Sequence, residues 1–191
     1  NPGLLGHGEG VTRLNTPTRL PSTLGGKRAV SVSAGDGHNL ALTTDGAVWS
    51  WGEGNLGRLG HGDQQAQWQP KKIEAFAGQR IIAVSAGGNH NLALTAGGAV
   101  WSWGHGAFGQ MGHGGQQGQL LPKKIEAFAG QRIIAVSTGE HHSLALTTDG
   151  SVWSWGDGAF GRLGHGDQQY QLLPKTVEAF AGQRVGAVSA G

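Results

Sequence analysis

Apolar residues along this chain fall in short runs with the two-residue period of strands, and the runs themselves repeat. Ile133-Ile134-Ala135-Val136-Ser137 is short and β-branched. In His142-Ser143-Leu144-Ala145-Leu146-Thr147, which follows, Leu144 and Leu146 share one face because successive side chains of a strand alternate. Asp149-Gly150 predicts a two-residue hairpin turn, with equivalents at Asp45-Gly46 and Gly97-Gly98, since glycine tolerates the positive φ that such turns need. The next strand, Ser151-Val152-Trp153-Ser154-Trp155, carries its two tryptophans at i and i+2, on the same side. A glycine-rich excursion comes next, then Pro174, then an expected last strand around Thr176-Val177-Glu178-Ala179-Phe180. No ten-residue helical pattern occurs.

The stretch 152–166 is written also at 48–62 and 100–114, each copy 52 residues from the next, and its closing phrase stands once more at Gly3-Leu4-Leu5-Gly6-His7-Gly8. A period of that length marks an array of like supersecondary units. The expected boundaries are three whole units at 29–80, 81–132 and 133–184. A partial unit over 1–28 precedes them, and 185–191 is expected to be the first strand of a further one. Four short strands per unit predict an all-β fold, a β-propeller of four-stranded antiparallel blades whose faces are covered by neighbouring blades.

Composition narrows the class. Glycine is abundant (37 residues) without a Gly-X-Y period, which excludes collagen, and the regular apolar spacing excludes a disordered linker. No run of 18 apolar residues is present, so no membrane span is expected, and no signal-peptide pattern opens the chain. Cysteine is absent, which leans towards an intracellular protein, cytoplasmic or nuclear. A formal charge of +2 is too balanced to argue nucleic-acid binding.

Several motifs have chemical readings. Gly52-x-Gly54-x-x-Gly57, with copies at 104–109 and 156–161, has the letters of a dinucleotide-binding fingerprint. None of the copies opens a helix, so no helix N-terminus would meet a pyrophosphate, and the glycines are read as turn formers. The periodic sets His38, His90, His142 and His61, His113, His165 admit two uses. One is zinc ligation near an axis. The other, which is the expectation, is a repeated brace in which each ring bonds the backbone of its own loop. The tryptophan pairs are expected to pack between blades. Lys71, Lys72, Lys123, Lys124 and Lys175 recur just after proline as a candidate basic rim for phosphate or acidic proteins, with Glu74, Glu126 and Glu178 placed to balance them. No nucleophile elbow, phosphate loop or acidic dyad is repeated or uniquely placed, so no catalytic residue, metal or cofactor is expected.

Positions shared by the units build the blade, and function is to be sought where they differ. The second and third whole units agree at 38 of 52 positions, which leaves few candidates. They are Asp36, Asn89, Glu140 and His141 on one loop, Glu53, His105 and Asp157 on another, and Trp68 and Tyr170 as large aromatics on a third.

The pattern Ser-Ala-Gly-x-x-His-x-Leu-Ala-Leu-Thr-x-Asp-Gly-x-Val-Trp-Ser-Trp-Gly-x-Gly-x-x-Gly-x-Leu-Gly-His-Gly, then Pro-x-x-Ile, resembles the repeat of the regulator of chromosome condensation family, and it covers essentially the whole chain. The resemblance implies a seven-bladed propeller, of which three full and two partial blades are about half. It also implies that the ring is completed by further chain or by a second copy, because an uncovered blade leaves strand edges and apolar faces open. The function implied is a non-enzymatic platform binding a protein partner through blade loops, with a small GTPase or a chromatin component as candidate partners. Guanine-nucleotide exchange on a small GTPase is the alternative, and a sugar- or metal-binding propeller is a third class.

Overall fold

The computed structural model describes residues 3–20 and 24–191; of the partial unit expected over 1–28, residues 1–2 and 21–23 lie outside them. Three four-stranded antiparallel sheets follow one another along the chain. The first holds β1 (Ala29–Ala34), β2 (His38–Thr43), β3 (Val48–Gly52) and β4 (Gln67–Lys72). The second holds β5 (Ile81–Ala86), β6 (His90–Thr95), β7 (Val100–Gly104) and β8 (Gln119–Lys124). The third holds β9 (Ile133–Thr138), β10 (His142–Thr147), β11 (Val152–Gly156) and β12 (Gln171–Thr176). Spatial order equals chain order in each, so every sheet is a meander, the blade of a propeller. The first strands β1, β5 and β9 pack against one another and are innermost; β4, β8 and β12 are outermost. Among the described residues there is no α-helix, and no helix is long and apolar enough to cross a membrane.

The outer strand departs from the expectation. Each one contains its proline (Pro70, Pro122, Pro174), and Glu178–Phe180 is a 3-10 turn, not the continuation of a strand. A strand paired on one side only needs no N–H on the other, so proline fits there, beside the register irregularity of each outer pair. The Glu-Ala-Phe turn instead drives its phenylalanine beneath the next blade. Phe76 meets Trp101 and Trp103 edge-on at 5.8 and 5.6 Å, and Phe128 meets Trp153 and Trp155 at 5.6 and 5.5 Å.

The core therefore lies between blades. Leu40, Val48, Ile73 and Phe76 of the first blade close over Ala93 and Trp103 of the second; Leu92, Val100, Ile125 and Phe128 of the second close over Ala145 and Trp155 of the third. The tryptophans pack between blades, as their spacing predicts. On the far side of the third blade, Val185 and Val188 cover Leu146, Val152 and Val177, while Phe160 is 90% exposed. Residues 185–191 join no sheet, yet Ala190 N donates to Ser137 Oγ at 3.0 Å, as Ala86 N does to Ser33 Oγ and Thr138 N to Ser85 Oγ.

A second set of bonds ties the blades where the third strands run into the glycine-rich turns. The indole Nε1–H groups of Trp51, Trp103 and Trp155 donate to the carbonyls of Leu4, Arg58 and Gln110, each in the turn contributed by the preceding repeat, at 3.2, 3.0 and 2.8 Å. Asn39, Asn91 and Ser143 donate to the same three oxygens. The indole reaches its carbonyl only because the residue two further on is glycine. A Cβ on Gly112, at φ +74, would lie 3.0 Å from Trp155 Nε1, and one on Gly60 2.9 Å from Trp103 Nε1.

Gly112→Ala and Gly130→Ala separate strain from clash. Both sites have positive φ, but nothing lies within 4 Å of a Cβ on Gly130. We expect Gly130→Ala to cost about 1 kcal/mol and Gly112→Ala about 2–4 kcal/mol in denaturant unfolding, the excess being the displaced indole. Equal losses would mean that the tryptophan bond adds nothing.

Candidate partner-binding face

Strand direction sorts the loops into two ends. Residues 35–37, 53–66, 87–89, 105–118, 139–141 and 157–170 emerge at one, the loop end; the β2–β3, β6–β7 and β10–β11 hairpins lie at the other.

The histidines come first because they set these loops. His38 Nε2 lies 2.5 Å from Asn91 Oδ1 and His90 Nε2 lies 2.9 Å from Ser143 Oγ, so each reaches the following blade. The second set stays within its own blade: His61, His113 and His165 meet Ser50, Ser102 and Ser154 at 3.0, 2.9 and 2.9 Å. Each of these serines already donates its hydroxyl proton to a loop carbonyl, that of Leu59, Met111 or Leu163. The histidine must therefore donate from Nε2. Both sets are braces, but their partners are side chains, and for His38 and His90 they stand on the next blade rather than in the ring's own loop. Among the described residues no three His, Cys, Asp or Glu side chains are grouped to hold a metal ion.

Burial tunes these rings. Desolvation lowers His38 to about 4 and His90 to about 3, and it is also the chief cause that lowers His61 and His113 to about 4.

The variable residues divide into braced and free. Glu53 pairs with Arg58 at 3.5 Å, and Asp157, itself buried, pairs with Arg162 at 3.4 Å. In the second blade His105 replaces the acid and Gln110 replaces the arginine, and Gln110 Nε2 meets His105 Nδ1 at 3.3 Å. Two chemistries, acid to arginine and histidine to glutamine, thus fasten the same loop to itself in the three blades. Asn89 is half-buried, its carbonyl accepting from His105 N at 2.9 Å. Asp36 and Glu140 are exposed, and Glu140 Oε1 lies 3.3 Å from His141 Nε2.

One group gathers at the joint of the second and third blades. The Phe108 ring stands 4.7 Å from His141, 5.7 Å from His105 and 5.8 Å from Tyr170, which is 47% exposed. Phe108 is the residue that sequence reasoning omitted; its place is taken by Leu56 in the first unit, a variation that marked it. Trp68 does not join this group: it is half-buried on β4, where its carbonyl accepts from Gly8 N at 3.1 Å. Lys71, Lys123 and Lys175 are exposed on the outer strands, away from the loop end; Lys72 and Lys124 pair with Glu74 and Glu126 at 3.3 and 3.1 Å.

The lowered histidines fix a pH dependence. Unfolded, each ring protonates near its ordinary value of 6.5; folded, it resists to about 4 or 3. Between those values the unfolded chain binds more protons, so stability is full above pH 6.5 and falls as the pH drops towards 4. Thermal unfolding followed from pH 7.5 to 4.5 should show a steadily falling midpoint, with a shallower fall in His90→Gln. A flat profile would contradict the neutral, buried braces.

The chain matches the family model of the RCC1-like domain over residues 1–191. It is 41% identical over 192 residues to the E3 ubiquitin-protein ligase HERC2 of Homo sapiens, covering 99% of this chain and 4% of that protein. It is 42% identical over 190 residues to the ultraviolet-B receptor UVR8 of Arabidopsis thaliana, covering 99% and 43%. Among solved structures, Prp20p of Saccharomyces cerevisiae, described together with its binding properties to Gsp1p and histones, superposes with a TM-score of 0.77 at 26% identity, covering 85% of this chain and 42% of that one. The chain thus spans less than half the length of each of these relatives. A whole-length family match, joined to three meander blades that each present the same tryptophan and histidine braces, places this chain in the RCC1-like domain family.

Proposed function

We propose that this chain is a non-enzymatic platform that holds a protein partner at the loop end of its blades, inside the cell, in the cytoplasm or nucleus. One observation carries the reading. The shared tryptophans and histidines are consumed in joints and braces, whereas three residues that differ between units, His105, His141 and Tyr170, gather beside Phe108 as a partly exposed aromatic group. Large, partly exposed aromatics over a rigid scaffold are the usual anchors of protein recognition. The likeness to Prp20p supports a protein partner, since Gsp1p and histones are named with that structure.

The far face of the third blade, covered only in part by Val185 and Val188, belongs to the same reading. Arg162, Phe160 and Phe180 stand where Gln110, Phe108 and Phe128 meet the following blade, so the face suits another blade of this kind, from a longer chain or a second copy. Guanine-nucleotide exchange is the second reading, and the likeness to a Gsp1p-binding protein is what favours it.

Nucleotide release from Gsp1p separates the two. A platform leaves the release rate unchanged at saturating chain, and acceleration would convert the reading to exchange. Hydrogen exchange with Gsp1p or core histones bound is expected to slow in 105–118, 139–141 and 157–170; slowing confined to β4, β8 and β12 would move the partner to the outer rim.

A further inference from the structure

Charge segregates along the strand direction. At the loop end, the loops of the three whole blades hold six carboxylates and two arginines. Both arginines are committed within their own loops, Arg58 to Glu53 and Arg162 to Asp157. What remains in these loops is Asp36, Asp63, Glu140 and Asp167, a net charge of −4; the matching stretch of the partial unit adds Glu9 and Arg13, which cancel. The rest of the chain carries eleven Lys and Arg against five carboxylates, a net +6. A protein of formal charge +2 is therefore strongly bipolar.

The negative end also carries the aromatic group. Tyr170 and Phe108 meet at 5.8 Å, and His141, stacked on Phe108, adjoins Glu140. Glu140 and Asp36 lean together over Gly88: a Cβ on that glycine would lie 3.0 Å from Glu140 Cγ and 3.2 Å from Asp36 Oδ2. Blades one and three thus project acids from this loop, while the middle blade leaves a gap between them.

We propose that the loop end receives a basic, arginine- or lysine-bearing segment of its partner protein, its cationic heads drawn to Asp36 and Glu140 and its chain laid across Tyr170 and Phe108. The inference rests on the loop end being the partner surface and adds the chemistry of what lies on it. Uncompensated carboxylates beside ring faces favour a guanidinium or ammonium group twice over, by charge and by cation–π attraction. An acidic segment would meet four carboxylates that no lysine or arginine pairs and be rejected, and so would the same end of a second copy. The positive remainder repels a basic partner elsewhere, so approach is oriented before contact.

Two labelled peptides test this on the intact chain, one of alternating arginine and glycine and one of alternating glutamate and glycine, with binding read by fluorescence anisotropy. The arginine peptide should bind. Its dissociation constant should rise about tenfold in the double variant Asp36→Asn, Glu140→Gln, and several-fold in Tyr170→Ala. Lys123→Ala should leave it unchanged, and added salt should weaken it. All four positions are surface sites or partly exposed, and thermal unfolding of each variant checks that the fold is retained. Arginine-peptide binding that ignores the Asp36–Glu140 variant overturns the inference, as does its absence at about 1 mM peptide. Should the glutamate peptide bind and Tyr170→Ala abolish it, the loop end stands as the partner surface and only its chemistry is overturned. Protection of β4, β8 and β12 alone would sink both.

Discussion

A carbonyl oxygen in a glycine turn that faces the flank of another sheet must find donors there, because leaving it dry and unpaired forfeits about 1–3 kcal/mol. In this molecule the carbonyls of Leu4, Arg58 and Gln110 are so placed, and each is met by a tryptophan and by an asparagine or serine of the following blade. The arrangement makes two demands on the sequence at once. It requires glycine two positions on, so that the indole can approach, and it requires tryptophan where the third strand reaches the loop end. The indole then delivers its large apolar area into the same joint, so hydrogen bonding and hydrophobic burial are satisfied by a single side chain. Repetition every 52 residues follows, since a joint works only if both its halves recur at the same spacing.

The histidines extend this logic into protonation. Asn91 accepts from His38 through Oδ1 and donates to the Arg58 carbonyl through Nδ2, so one amide links two loops of the preceding blade. Such a chain has a single consistent set of donors and acceptors, and it requires the imidazole to stay neutral. Nδ1 of His38 and of His90 is left buried without a partner, which a bare nitrogen lone pair tolerates far better than an N–H would. Cohesion of the blades and acid sensitivity are therefore consequences of one network.

Much of the architecture was legible in the residues. Strand period, Asp-Gly turns, the repeat and the inter-blade role of the tryptophans are all local or periodic signals. The outer strand was not, because proline reads as a terminator unless the strand is known to be paired on one side only. Partners of His38 and His90 were out of reach for another reason: they lie 53 residues away, in the next copy of the unit. Glu53, His105 and Asp157 drew attention because the units differ there, yet each is tied to a residue five positions on, by acid to arginine or by histidine to glutamine. That parallel change was present in the sequence and reads as a brace only when both positions are compared together. Phe108 became visible through its neighbours on the third blade, which no single unit displays.

Pro70, Pro122 and Pro174 have a bearing beyond the geometry of their strands. Each sits on the outermost strand of its sheet, which is paired on one side only, and is followed directly by lysine. A foreign peptide seeking to extend such a sheet would find a missing donor and a row of ammonium groups in place of a continuous ladder. Rims built this way oppose the addition of a further strand along that edge.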